Sequence, residues 1–177
     1  MAYEFDDAQH GADLFDLAVP GNIYSRVMNP TCDVLEQRVA ALEGGVGALA
    51  VSAGSAAINY AILNLATAGD NIVTVPQLYG GTYTLFAHML PSQGIEVRFA
   101  ENDSVAALEA LIDDRTKAIF LETIGNPAGN IVDIEAVATM ARQRGVATIA
   151  DNTVASPALL SLIHISEPTR PLSSWFA

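Results

Sequence analysis

A mostly parallel, doubly wound α/β sheet is the fold this sequence predicts, and three observations predict it. Short β-rich runs at residues 48–52, 71–75, 95–99, 118–122 and 146–150 alternate with helical patterns at 55–66, 82–89, 105–112 and 134–144. Four of the five runs hold few or no charged residues, the composition of strands covered by helices on both faces. The turns between them are short and rich in Gly, Asp and Pro, as alternating strand–helix units require.

Taken in order, residues 3–23 are acidic and mixed, and Ala8, Ala12, Leu14 and Phe15 suggest a short helix. Residues 21–31 show neither a helical nor a strand period and read as a loop, in which Pro30 keeps Asn29 extended. A helix follows whose apolar face is Val34, Leu35, Val39 and Leu42 with the aliphatic stem of Arg38; Gly44 and Gly45 end it. The first β-rich run, 48–52, leads through Ser52-Ala53-Gly54-Ser55-Ala56-Ala57 into the helix 55–66. Residues 43–70 deserve a membrane test, since nothing between Glu43 and Asp70 is charged. Their glycines, serines and asparagines break the apolar residues into two short pieces, whereas a spanning helix needs about 20 predominantly apolar residues. A strand, a turn and a buried helix explain the stretch better. The run 146–150 closes the series and delivers Asp151, Asn152 and Thr153 at its C-terminal end. A buried carboxylate there requires a cationic or strongly donating partner.

From Leu160 the alternation stops. The run from Leu160 to Arg170 resembles the conceptual translation of a transposase adapter used in sequencing libraries; the alternative is a loop with a terminal aromatic anchor. On that resemblance residues 160–177 form a non-native tail, and His164, Glu167 and Trp175 receive no functional weight. The chain then divides into an N-terminal segment at 1–45, a partial ligand-binding domain at 46–159 and the tail.

Twenty acids against eight bases give the 177 residues a formal charge of −12. A basic face for nucleic acid or an anionic membrane is not expected. The N-terminus has no basic region followed by an apolar run, so no signal peptide is expected, and the acidic balance suits a cytoplasmic protein. Cys32 is the single cysteine. That excludes an internal disulfide framework and a multi-thiolate zinc site, and no metal is expected.

The chemistry-bearing motifs all fall where a strand ends. At 52–57, glycine allows close backbone approach and the helix start offers free N–H groups for a phosphate. A plain turn with Ser55 as the helix cap fits that sequence as well. At 77–82, Tyr79 before Gly80-Gly81 could lay its ring over a planar ligand or pack on its own turn. Glu122-Thr123-Ile124-Gly125-Asn126-Pro127 brings a carboxylate and an amide to the same edge, and Asp151 with Thr153 completes the set. Four modest motifs on the ligand side of one sheet are a stronger signal than any alone. A phosphate cradle, a stacking tyrosine and a carboxylate suit a phosphorylated aromatic cofactor with a basic ring nitrogen. Pyridoxal 5′-phosphate has that chemistry: with its nitrogen held protonated by Asp151, the ring is an electron sink for a carbanion at the substrate Cα.

From Phe5 to about Pro157 the chain resembles the Cys/Met-metabolism family of fold-type I pyridoxal-phosphate enzymes. The resemblance rests on Phe5-Asp6-Asp7-Ala8, Asn22 to Thr31, Leu42 to Ala48, Leu78 to Thr82, Glu122 to Pro127 and Asp151-Asn152-Thr153. It implies an incomplete large domain of a fold-type I transferase. Within the family the motifs look most like the O-acetylhomoserine sulfhydrylase branch, which replaces the acetate of O-acetyl-L-homoserine with sulfide or a thiol in methionine and homocysteine synthesis. Cystathionine γ-synthase and the γ-lyases would share every motif, and a non-catalytic globular fragment is the alternative of another class. The resemblance implies that Gly54 and Ser55 hold the phosphate through backbone N–H groups, that Tyr79 stacks on the ring and assists proton transfer, and that Asn126 lies near the ring hydroxyl and substrate carboxylate. It implies that Asp151 binds the ring nitrogen, with Thr153 close to the ring. It implies further that Tyr24 and Arg26 reach the phosphate in a neighbouring subunit, so the partner is a second copy and the full-length assembly a dimer of dimers. An arginine–phosphate fork is chemically apt.

The family's tethering lysine, in a Ser-x-Thr-Lys-like motif, does not occur in these residues. The one lysine, Lys117, begins the run that ends at Glu122 and is therefore expected about 16 Å from the ligand edge. The 177 residues by themselves are expected to be inactive.

Overall fold

The computed structural model describes residues 2–160 and 173–175, and the chain splits into two compact units, Met1–Ala50 and Val51–Ala177. The first unit holds α1 (Ala8–Phe15) and α2 (Pro30–Leu42). Asp7 caps α1 by accepting from the His10 N–H, and Leu14 is the helix's buried anchor. Asn29 is extended and caps α2, with Pro30 at the first helical position, so that helix begins a turn earlier than its apolar face indicates. No residue of α2 is buried: Val34 and Leu35 are each 54 % exposed, so the face expected to pack inward lies open among the described residues. The run 48–52 is not a strand. Leu49 is exposed, no ladder forms, and the Ala50 N–H is taken by the Glu36 side chain at 2.7 Å. Its apolar residues fit a pleated surface, but among the described residues no neighbouring strand pairs with them.

The second unit is the doubly wound sheet. Its elements run α3 (Gly54–Leu65), β1 (Asn71–Thr74), α4 (Gly80–Thr84), α5 (Leu90–Ser92), β2 (Glu96–Phe99), α6 (Val105–Glu109), β3 (Thr116–Glu122), α7 (Ile134–Arg144), β4 (Ala147–Asp151), α8 (Ser156–Leu159) and β5 (Ser173–Trp175). A π-helical turn, Leu85–Met89, joins α4 to α5. Pro91 lacks the N–H that a regular helix would donate to Ala87, and the wider turn absorbs the defect. The strand order is β2-β1-β3-β4-β5 and every pairing is parallel.

The chain steps from β1 outward to β2, then back past β1 to β3 and on to β4. Right-handed crossovers therefore place the α4–α5 stretch on one face and α6 and α7 on the other. The packing agrees: α3 meets α4, and α6 meets α7. β1 is wholly buried, β3 nearly so, and β2 at the edge is half-exposed. Between the layers Phe86 and Phe120, both 0 % exposed, meet edge to face with centroids 4.9 Å apart.

The segment set aside at 160–177 contributes β5, which pairs its backbone with Ile149 to Asp151 of β4; His164 and Glu167 lie outside the described residues. Pairing there needs only the free N–H and C=O groups that β4 presents on its outer side, a demand many extended segments meet.

Removing either aromatic ring leaves a cavity between two covered layers. Phe120→Ala is expected to lower the unfolding free energy by about 3–5 kcal/mol, measured by urea denaturation.

Candidate active site

Because the connections leaving β1 and β3 depart to opposite faces, a crevice opens at the C-terminal ends of these two strands. In an open α/β sheet this reversal point is where ligands sit. One hydrogen bond spans it. The Tyr79 N–H, on the loop after β1, donates to Glu122 Oε1 at the last residue of β3, 2.7 Å away. Tyr79 is the residue before α4 and has no side-chain cap of its own, so the acceptor arrives from 43 positions along the chain.

Gly81 sets where the tyrosine ring lies. A Cβ at Gly81 would come within 2.6 Å of Tyr79 Cε1. The ring thus lies over the bare glycine backbone while remaining 55 % exposed at the crevice. Packing on its own turn and facing a ligand are compatible: one ring face meets the turn and the other is open.

Glu122 and Asp151 are direct register partners at the ends of β3 and β4, so their side chains share a face of the sheet. Glu122 is 5 % exposed. Burial raises its pKa above the ordinary glutamate value of 4.5; the Tyr79 N–H opposes that, the Asp151 charge adds to it, and the Asn126 N–H again opposes it. Asp151, expected to be buried, is only half-buried. The strand reaches one residue farther than the pattern indicates and carries its last side chain to the rim. Its Oδ1 accepts from the Thr153 N–H at 3.0 Å and from the Thr153 hydroxyl. Oδ2 accepts nothing among the described residues.

On the opposite face of the same strand ends, Thr123 Oγ1 donates to Asn152 Oδ1 at 3.0 Å, and Asn152 Nδ2 donates to the Leu160 carbonyl at 2.7 Å. Both residues are buried, at 1 % and 0 % exposure. This latch ties the loops after β3 and β4 and was missed as a functional element in the sequence. The signal was present: a period of two places Thr123 and Asn152 back to back with Glu122 and Asp151.

Residues 66–70 hand the chain from the C-terminus of α3 to the N-terminus of β1, so α3 begins at the ligand edge of the sheet. Its cap, Ala53, supplies no side-chain acceptor, and the first helical bond is from the Ala57 N–H to the Ala53 carbonyl. Ser55 lies inside the helix and does not cap it. The N–H groups of Gly54, Ser55 and Ala56 therefore have no intrahelical partner, the condition for holding an anion. Asn126 is exposed on the loop after β3, where the Gly125 N–H to Asn130 carbonyl bond, 2.8 Å, closes a tight turn.

The remaining two candidates belong to the first unit. Arg26 donates to the Tyr24 hydroxyl and its guanidinium carbon lies 5.2 Å from the centre of the Tyr24 ring, so the pair is one preformed cationic feature. Lys117 forms an ion pair with Asp70 at 3.5 Å at the N-terminal start of β3, the far edge of the sheet from Glu122.

The donor set fits pyridoxal phosphate: uncapped N–H groups for a phosphate, an open tyrosine face for a ring, and an unengaged carboxylate oxygen for a protonated ring nitrogen. The comparisons agree with that chemistry. Residues 1–166 match the family model described as Cys/Met metabolism PLP-dependent enzyme. The chain is 54 % identical over 153 residues to O-acetyl-L-homoserine sulfhydrylase 1 of Thermus thermophilus, covering 86 % of this chain and 36 % of that protein. It is 51 % identical over 152 residues to a homocysteine/cysteine synthase of Kluyveromyces lactis, with 86 % and 34 % covered. Among solved structures, a putative O-acetylhomoserine (thiol)-lyase of Campylobacter jejuni, crystallised with a pyridoxyl-lysine phosphate, superposes with a TM-score of 0.85 at 47 % identity, covering 90 % of this chain and 39 % of that one. The chain thus spans about a third of the length of the curated relatives it matches.

The raised pKa of Glu122 has a consequence for stability. A carboxyl whose pKa the fold raises contributes stability that is fully present below the unfolded pKa and is lost as pH rises through the native one. Urea denaturation from pH 4.5 upward is expected to show the unsubstituted protein losing stability relative to Glu122→Gln. A difference that does not change with pH would contradict the assignment.

Proposed function

Because the chain belongs to the Cys/Met metabolism PLP-dependent enzyme family, we propose that it is the cofactor-cradling portion of an O-acetyl-L-homoserine sulfhydrylase, which exchanges acetate for sulfide or a thiol. The observation that carries this reading is the convergence, at one reversal point, of Tyr79, Glu122 and Asp151 with the uncapped start of α3 on the same sheet edge. The names and identities of the sulfhydrylase relatives favour this branch over a synthase or lyase of the transsulfuration type.

Bound pyridoxal phosphate supplies an electron sink that stabilises negative charge at the substrate Cα. The residues of this chain hold and tune it. The Gly54 and Ser55 N–H groups bind phosphate oxygens with the favourable end of the α3 dipole behind them. Asp151 Oδ2, left open by Thr153, accepts the proton-bearing ring nitrogen; Thr153 keeps the carboxylate turned toward it. Tyr79 covers one ring face and its hydroxyl moves a proton at the substrate, while Asn126 orients the substrate carboxylate. Tyr24 and Arg26 bind the phosphate in a neighbouring copy, so the working assembly is a homo-oligomer, a dimer of dimers. The acidic balance suits a cytoplasmic setting. Residues 46–159 form the partial cofactor domain and 1–45 carry the inter-subunit loop, with 160–177 read as foreign sequence.

A full-length enzyme carrying these residues is expected to show the absorbance of bound pyridoxal phosphate and to lose it in Asp151→Ala; an unchanged band in the variant would refute the role given to Asp151. The same enzyme is expected to release acetate from O-acetylhomoserine faster with sulfide than with cysteine, the reverse marking cystathionine γ-synthase. The isolated 177-residue chain, whose one lysine is at the far edge of the sheet, is expected to give no turnover above background.

A further inference from the structure

Glu122 is a buried carboxylate to which the mechanism above gives no task, and its placement is costly. It is 5 % exposed and shares a sheet face with the carboxylate of Asp151. No arginine or lysine pairs with it among the described residues. Two backbone N–H groups face it, from Tyr79 after β1 and from Asn126 after β3. A carboxylate offers an acceptor oxygen to each, whereas glutamine would present an NH₂ to one of them and leave two donors facing each other. The two loops it joins flank the crevice and carry the two side chains read as contacting ring and substrate.

We propose that Glu122 is the positioning residue of this site: its carboxylate fixes the Tyr79 backbone across the β1–β3 crevice and so holds the tyrosine ring over the cofactor. Glu122 touches neither substrate nor cofactor; it acts through Tyr79. The ring is already wedged on one side by Gly81, where no Cβ fits. With the backbone N–H fixed as well, rotation of the loop about the strand end is blocked. The inference rests on the reading that pyridoxal phosphate occupies the crevice.

The test compares full-length enzyme with its Glu122→Gln and Glu122→Asp variants. Hydrogen exchange at the Tyr79 amide, with β3 amides as internal controls, reports the loop itself and needs no cofactor. The circular dichroism induced in the cofactor band reports how firmly the ring is held. In Glu122→Gln, Tyr79 exchange is expected to rise about tenfold, the scale of one hydrogen bond to a charged group, with β3 unchanged. The induced signal should weaken, and kcat should fall with little change in KM. Glu122→Asp, which keeps two acceptor oxygens, should recover part of the signal. Faster Tyr79 exchange with an unaltered cofactor signal and kcat would overturn the positioning role, as would unaltered exchange. An unsubstituted enzyme with no cofactor signal would instead overturn the functional reading on which the role stands.

Discussion

The order in which the chain lays down its strands constrains everything at the site. By placing β2 to one side of β1 and β3 to the other, the chain sends two successive connections to opposite faces, and the strand ends between them are left uncovered. That gap is a consequence of handedness and order, not of any particular side chain. Side chains then decide what it holds. The Tyr79–Glu122 bond crosses it at 2.7 Å and the Thr123–Asn152 bond ties the next pair of strand ends behind it, so the rim is held by contacts between elements far apart in sequence.

Charge is divided along the sheet in a way that supports the ligand chemistry. At the N-terminal edge Arg98 pairs with Glu96 and Asp113, Arg115 lies near the same two acids, and Lys117 meets Asp70. Asn71, buried beneath, donates to Asp113 and with Arg98 holds that carboxyl well below the usual range. Arg144 meets Glu109. At the C-terminal edge stand two carboxylates, Glu122 and Asp151, and none of these cations. Two acids side by side without a cation are unfavourable unless one stays neutral or a positive group arrives. Burial raises the pKa of Glu122, and the Tyr79 N–H that it accepts opposes that rise by favouring the anion. Asp151, half-exposed with one oxygen free, is suited to the second.

Much of this was legible in the sequence. The β-rich runs identified β1 to β4, and the helix 134–144 agrees to the residue, with Asp133 capping its start and a left-handed Gly145 at its end. The motifs at Tyr79, Glu122 and Asp151 were placed at strand ends, and their meeting follows from the parallel order. What failed had a common cause. Residues 48–52 have the composition of a strand and α2 has an apolar stripe, but propensity and periodicity report what a segment could bury, not whether a partner is at hand. Neither finds one among the described residues. The Asn152 latch escaped for a different reason: a small amide next to an aspartate reads as turn chemistry, and only the strand register reveals that it faces inward.

Asp151 shows why burial was the wrong property to expect at the centre of the site. A fully buried carboxylate with its partners already supplied by the protein would be a structural ion, closed to any ligand. The observed group has one oxygen fixed by two Thr153 donors and the other open. That division keeps the side chain in a single orientation while leaving an open acceptor oxygen at the crevice, so the ring nitrogen proposed to bind there would not first have to displace a protein partner. Preorganisation of this kind makes the binding energy of the incoming group available for orientation rather than for rearranging the site.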